Sequence, residues 1–218
     1  MTKHTITQTT QNLFNKGERM RFSILIPMHN ASKHVKKALD SVKKQSFKDY
    51  ELIAICDACE DNTADIARKY TDNVFEVDNH LVGPTLNAGL DIAQGDYILF
   101  MDDDDWWMHE FVLEMLSKAL RQTDADVLCF SFIWKGVGYA KFDANNGGYF
   151  PAVWNKAWKR SFIGDHRFGT RKHDSDLVFH NEMMAIPHTN AQWDQAFYYY
   201  NYLRKGSLTA ELKAKEKE

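Results

Sequence analysis

The chain has 218 residues, 44% hydrophobic and 13% aromatic, enough to bury one sizeable core. Its 27 Lys and Arg against 30 Asp and Glu leave a formal charge of −3, which excludes a global pull toward nucleic acid or an anionic membrane. Three cysteines argue against a disulfide scaffold, no apolar run is long enough to span a bilayer, and the polar start lacks a signal core. A cytoplasmic globular protein, at most peripheral to a membrane, is expected. One local feature breaks the even charge: four successive aspartates, Asp102 to Asp105, directly after an apolar run.

In chain order, residues 1–20 read as a flexible leader, 21–209 as one domain and 210–218 as a charged tail. Phe22 to Ile26 predicts a buried strand that Pro27 ends. Ser32 is placed to cap a helix whose Val35, Leu39 and Val42 recur at near-helical spacing. Tyr50 to Cys56 predicts a second strand, followed by a helix over 63–70. Val74 to Val77 is a third strand and Thr85 to Ala93 a third helix. Tyr97 to Met101 is a fourth strand, running straight into the aspartates; a helix from His109 to Arg121 and a strand from Asp126 to Phe132 follow.

Strands alternating with helices of this length predict an α/β fold with a doubly wound, mostly parallel sheet. Such sheets bind ligands beyond the carboxyl ends of their strands. That rule singles out His29, Asn30, Asp57, Asp78, Asn79 and the aspartate run. Beyond residue 134 the alternation stops. Gly136, Gly138 and the Asn145 to Gly148 turn predict a hairpin or loop. An aromatic, basic stretch from Trp154 to His173, a short helix and a Tyr-rich strand complete a smaller C-terminal half. Six Lys or Arg against one Asp make the 154–173 stretch locally basic, which suits a diphosphate, an anionic acceptor or simply a solvated helix face.

Common nucleotide fingerprints are missing. Gly136-Val137-Gly138 has no third glycine in register, and no GxxxxGK[ST] loop occurs. Cys56 and Cys59 are spaced CxxC without a second pair, so a buried Cys56 closing a strand competes with a zinc or redox role. The aspartates carry the stronger signal. Carboxylates crowded at the end of a buried strand repel one another, and a hard divalent cation with substrate phosphates compensates that charge. The competing reading is a solvated loop whose charge favours the next helix N-terminus. A second acidic turn, Asp57 to Asp61, tips the balance toward metal and nucleotide.

Several segments then fall into one order. Residues 23–30 run as SILIPMHN, a strand ending in P-x-H-N. Ala38 to Phe47 ends a helix in Gln45-Ser46-Phe47, and Asp57 to Thr63 resembles a D-D-G-S-x-D-x-T turn. Gly83, Asn87, Ala88, Gly89 and Gly95-Asp96-Tyr97-Ile98 come next, with Asp102-Asp103-Asp104 at a DxD position. Asn155 to Arg160 reads N-K-A-W-K-R after Trp154, Ser175 to Phe179 reads x-D-x-x-F, and Ala196 to Ser207 closes on aromatic residues, Arg204 and Gly206-Ser207. Together these resemble the inverting, family 2 nucleotide-sugar glycosyltransferases of GT-A fold, over Phe22 to Thr209.

The resemblance implies roles. Pro27, His29 and Asn30 would lie by the base, and Asp57 would accept from a uracil imide N–H. Asn87 would belong to the same nucleotide-sugar site. Asp102 and Asp103 would hold ribose or support the metal, and Asp104 would ligate Mn²⁺ or Mg²⁺. Asp176 would be the general base, with Asp174 the other candidate, and Arg204 would reach the diphosphate. His180, one helical turn past Asp176, and the pair Trp106 and Trp107 are either structural or sugar-facing. The implied partners are a UDP-sugar donor and a saccharide, lipid-linked or other hydroxyl acceptor, with a nucleic-acid acceptor remote. Cys56, Ala58, Cys59, Leu86 and Ser175 depart from the family pattern. They keep open a non-catalytic nucleotide- or glycan-binding module, or a nucleotidyltransferase.

Overall fold

A computed structural model describes residues 21–140, 150–205, 207, 210 and 213. The expected leader, the Asn145 to Gly148 turn and most of the charged tail lie outside those residues. The elements are β1 (Phe22–Met28), α1 (Val35–Lys43), β2 (Tyr50–Asp57), α2 (Thr63–Ala67), β3 (Val74–Val77), α3 (Val82–Ile92), β4 (Tyr97–Phe100) and β5 (Trp106–Trp107). There follow α4 (Val112–Thr123), β6 (Val127–Trp134), β7 (Gly138–Ala140), β8 (Lys156–Lys159), α5 (Arg160–Ile163), α6 (Ser175–Ala185) and β9 (Asn190–Tyr200).

One sheet runs β3-β2-β1-β4-β8-β6-β9-β5, with β7 paired to β6. The strands β3, β2, β1 and β4 are parallel to one another, as the alternating pattern requires. Strand β8 then lies antiparallel between β4 and β6, so β6 keeps the direction of β4 without touching it. Side-chain alternation along β1 feeds two separate cores. Ile24 and Ile26 face α1, α2 and α4 through Val35, Leu39, Ala64 and Leu116. Leu25 faces α3 and α6 through Leu86, Leu90, Phe179 and Met183. Helices on both faces make the sheet doubly wound, and each fully buried aliphatic side chain contributes about 1.5–3 kcal/mol of transfer free energy.

Three local expectations need correction. Pro27 does not end β1; the strand runs on to Met28. The Leu25 carbonyl accepts from Met101 N–H, so Pro27, two residues on, faces the same side, where β4 has already stopped at Phe100. Its missing N–H therefore costs no ladder bond. Ser32 is not the cap of α1, which starts at Val35 after His34, and no side chain caps it. The first part of the basic 154–173 stretch is not a solvated helix face: β8 lies inside the sheet, and Trp158 and Lys156 are both fully buried, while Arg160, Arg171 and Lys172 are exposed. By contrast, the β6–β7 hairpin forms where the glycines predict a turn, with Gly136 at φ 80° and Gly138 at φ 106°.

Candidate active site

The carboxyl ends of β1, β2 and β4 open onto one face, and the chain after each of them is cross-tied. The Asn30 side-chain oxygen accepts from the backbone N–H of Glu60 (2.8 Å) and Asp61 (3.3 Å). Asp61 accepts from Ser32 N–H, and Thr63 Oγ1 accepts from Ala31 N–H at 2.8 Å. His29 donates from Nδ1 to the Asp57 carbonyl at 2.7 Å. The loop after β1 and the acidic turn after β2 are thus one hydrogen-bonded unit. Asn30 at φ 47° and Ala58 at φ 46° take the left-handed backbone it requires.

Asp57 is buried and its carboxylate is saturated. Oδ1 accepts from Asn79 N–H (2.7 Å) and His80 N–H (2.9 Å); Oδ2 accepts from Leu81 N–H (3.1 Å) and the Thr85 hydroxyl (2.8 Å). A carboxylate offers about four acceptor sites, and these four contacts hold the entry to α3. Asn87 is likewise committed to the protein. It clamps the Phe168 main chain through both ends of its amide, at 2.9 and 2.8 Å. Gly83 permits that docking: a Cβ there would sit 2.3 Å from the Gly169 carbonyl. Asp57 and Asn87 therefore place loops in this structure, Asn87 fixing the segment that leads into α6.

The four aspartates after β4 divide their work. Among the described residues, Asp102, Asp104 and Asp105 form the one acidic group whose ligand oxygens all lie within 4.8 Å of one another. Asp103 turns away to meet His34 Nε2 at 3.0 Å. Asp104 Oδ2 receives Arg204 Nε at 2.6 Å. Asp105 Oδ1 accepts from Asn201 N–H at 2.7 Å, while its buried Oδ2 has no partner. Tyr198, stacked on Trp154 with centroids 4.7 Å apart, accepts from Asp102 N–H at 3.1 Å. Burial pushes all three grouped carboxyls upward, and their mutual repulsion adds to it; Asp105 reaches about 8 and Asp102 rises well above the usual range. Arg204 opposes the rise at Asp104. An orphaned buried carboxylate oxygen among crowded acids fits a hard divalent cation with oxygen ligands.

Asp176 sits in the first turn of α6, close enough for its charge to help raise Asp102. Burial raises Asp176 itself, against the N–H groups of its own turn and the charge of Lys156. Asp174, the other candidate, is the N-cap residue without a capping bond and pairs with Arg171 at 3.0 Å. Beneath them Lys156 donates to the carbonyls of Phe150 (2.8 Å) and Ala152 (2.7 Å) and to Asn155 Oδ1 (2.8 Å). Burial lowers its ammonium to about 8. His180 is buried against Trp158, its Nε2 unpartnered and its imidazole pushed down to about 4 by burial and Lys156.

Other basic residues of the 154–173 stretch are also engaged: Lys159 with Asp124, Arg160 with the Gly95 carbonyl, Arg167 with Asp91. Trp107 is core, and Trp106 stacks on Tyr199 at 4.1 Å with the Lys37 ammonium over its other face. Sequence reading flagged Asp105 only as part of the run, without a role, and missed His34, Tyr198, Asn201 and Lys156 as parts of this site. The aspartate run already contained Asp105 and the basic segment Lys156, whereas His34, Tyr198 and Asn201 reach the aspartates across 69 to 97 residues.

The profile of the glycosyl transferase family 2 matches residues 23–188, and the chain belongs to that family. EpsH of Bacillus subtilis (strain 168), whose name gives glycosyltransferase as a provisional assignment, is 28% identical over 184 residues, which is 72% of this chain and 54% of EpsH. The chain thus spans about half the length of that curated relative. The fold is GT-A, like that of Staphylococcus aureus TarS 1–349 in complex with UDP-GlcNAc: TM-score 0.78, 22% identity, 88% of this chain and 61% of that one. A mannosyltransferase from Pyrobaculum calidifontis, in complex with GDP-Man and Mn²⁺, aligns with TM-score 0.70 and 14% identity over 91% of this chain and 64% of its own. Among the described residues no helix is long and apolar enough to cross a membrane.

Proposed function

We propose that the chain moves a sugar from a UDP-sugar to an acceptor hydroxyl by a single inverting, metal-assisted displacement, in the synthesis of a cell-envelope or related glycan. One observation carries the reading: three crowded carboxylates with an orphaned buried oxygen at the end of β4, near a fourth, half-buried carboxylate, Asp176, at a helix start. The UDP-GlcNAc and Mn²⁺ complexes of the structural neighbours support the donor and metal classes.

In this reading Asp102, Asp104 and Asp105 would hold Mn²⁺ or Mg²⁺, and Asp104 is the ligand that Arg204 covers in the free protein. The cation would supply positive charge for the departing diphosphate. Arg204, released from Asp104, lies on a segment that can follow the anionic diphosphate. Pro27, His29 and Asn30 line the base end, with Asp57 shaping the neighbouring turn rather than touching the base. Asp103, steadied by His34, serves the ribose hydroxyls. Asp176 takes the acceptor proton: a carboxylate raised by burial is a stronger base than an exposed one, and in-line attack requires that base opposite the leaving group.

The test is a donor screen by UDP release with Mn²⁺, paired with thermal shift. Asp104→Asn should lose metal-dependent stabilisation by UDP. Asp176→Asn should keep that stabilisation and lose transfer by roughly 10²–10⁴-fold. No melting shift with any nucleoside diphosphate, with or without Mn²⁺, would overturn the proposal. Donor binding without transfer by the unaltered chain would favour a binding module, and pyrophosphate release from a nucleoside triphosphate would favour a nucleotidyltransferase.

A further inference from the structure

The aspartates follow β4, yet the groups that orient three of them come from 96 or 97 residues downstream. Tyr198 is fully buried in β9, in register with Phe132 of β6 on one side and Trp107 of β5 on the other. Its ring stacks on Trp154 with the planes 11° apart, and its hydroxyl accepts from the Asp102 N–H at 3.1 Å. Asn201, just past the end of β9, contacts the other two members of the acidic group. Its backbone N–H donates to Asp105 Oδ1 at 2.7 Å, and its side-chain Nδ2 donates to the Asp104 carbonyl at 3.2 Å. The orientation of that amide is fixed, because Lys135 Nζ donates to Asn201 Oδ1 at 2.8 Å and the Lys135 N–H donates to the Tyr200 carbonyl at 3.1 Å. Asp103 stands outside the group and is held by His34 instead. The partition is consistent: the aspartates held from β9 are those whose oxygens converge within 4.8 Å, and among them Asp105, 1% exposed, keeps an unpartnered Oδ2.

We propose that Tyr198 and Asn201 are positioning residues for the divalent cation: they hold Asp102, Asp104 and Asp105 at the spacing a small octahedral ion requires, so cation affinity is set from β9 before any nucleotide binds. This role rests on the metal assignment above and adds the source of its geometry. Mg²⁺ demands near-ideal octahedral coordination with oxygens at about 2.0–2.1 Å, whereas Ca²⁺ accepts about six to eight oxygens at about 2.3–2.6 Å in flexible arrangements. Carboxylates held in place favour the smaller ion; loosened ones lose that preference while their charge still attracts Ca²⁺. Neither Tyr198 nor Asn201 brings a charge of its own to the group, so removing their contacts changes geometry rather than net charge. Arg204 reaches the same Asp104 and acts in the opposite sense, because its guanidinium occupies a carboxylate oxygen that the cation needs.

The test is Mn²⁺ binding to the full chain without nucleotide, followed by loss of the free-ion electron paramagnetic resonance signal, with Mg²⁺ and Ca²⁺ affinities taken from competition. Tyr198→Phe removes one hydroxyl, and Asn201→Ala spares the backbone donor to Asp105. Each should weaken Mn²⁺ and Mg²⁺ roughly 10–100-fold and Ca²⁺ several-fold less, so that the preference for Mg²⁺ over Ca²⁺ falls. Arg204→Gln should tighten all three ions. Tyr70→Phe, which deletes a hydroxyl bonded to Asp40 rather than to the acidic group, should match the unaltered chain. Circular dichroism melting in chelator shows that each variant is folded; a merely structural loss weakens all ions alike and leaves the Mg²⁺-to-Ca²⁺ ratio where it was. Unchanged affinities in Tyr198→Phe and Asn201→Ala, an unchanged ratio, or Arg204→Gln shifting affinity in the same direction as they do would overturn the positioning role. Cation binding only once UDP is present would overturn that role alone. No cation binding by the unaltered chain, with or without UDP, would overturn the metal assignment and this role with it.

Discussion

Asp57 offers the sharpest test of how the site is built, because its expected role and its observed one give opposite results. As a reader of the base, Asp57→Ala should cost affinity and little stability. As the hub seen in the structure, it accepts four hydrogen bonds from Asn79, His80, Leu81 and Thr85 and holds the N-terminal entry of α3. Each bond to a charged acceptor contributes about 1 kcal/mol or more after exchange with water. Three donors are only partly shielded, so the four together come to roughly 4 kcal/mol. For a chain of this size that lowers the melting temperature by roughly 8–16 °C. Asp57→Asn keeps one oxygen for Asn79 and His80 but turns an amide toward Leu81 N–H, so an intermediate loss of about 1–2 kcal/mol is expected. The assay is urea and thermal unfolding followed by far-ultraviolet circular dichroism, with UDP titration on the same samples. Both variants within 0.5 kcal/mol of the parent, accompanied by a sharp loss of UDP affinity, would refute the structural role and restore the contact with the base.

Two further predictions concern the supports of the site. Gly83→Ala places a methyl 2.3 Å from the backbone carbonyl of Gly169 and against Phe168 and Ser175, so the loop before α6 must move; a loss of about 1–3 kcal/mol in urea unfolding is expected, with a larger drop in kcat than in KM if Asp176 shifts with it. Lys156 has a folded value of about 8 against about 10.4 in the unfolded chain. Between those values the unfolded chain binds the extra proton, so stability rises with pH across that window and the full cost of the buried charge is present below it. The rise is on the order of 3 kcal/mol. Lys156→Met should flatten it in denaturant titrations at pH 7, 8, 9 and 10, while orphaning the three acceptors and lowering stability at pH 7. An unchanged pH slope in that variant would sink the assignment.

How much was legible in the sequence follows from the range over which each signal acts. The alternation of Phe22 to Ile26, Tyr50 to Cys56 and Tyr97 to Phe100 with amphipathic helices is local, and it determined the parallel, doubly wound half of the sheet. The acidic run after β4 was equally plain, because a strand end is where such folds present ligands. The C-terminal half carried no such pattern: β8 is four residues long, and only its pairing with β4 and β6 reveals that a basic segment is interior. Pro27 and Ser32 misled because a strand's end and a helix's cap depend on which neighbours are still present, not on the residue alone.

The sequence by itself determined the family, the GT-A fold and the identity of the acidic cluster, since those rest on short-range periodicity and ordered motifs. Tertiary structure alone decided which aspartates act together. In one run of four identical side chains nothing local separates Asp103, drawn off by His34, from Asp105, left with a bare buried oxygen. It also decided that Asp57 and Asn87 hold loops while Arg204, a hundred residues downstream, covers Asp104. Hydrogen bonds and buried charges are settled by what lies opposite in space, and that partner is chosen only when the chain closes on itself.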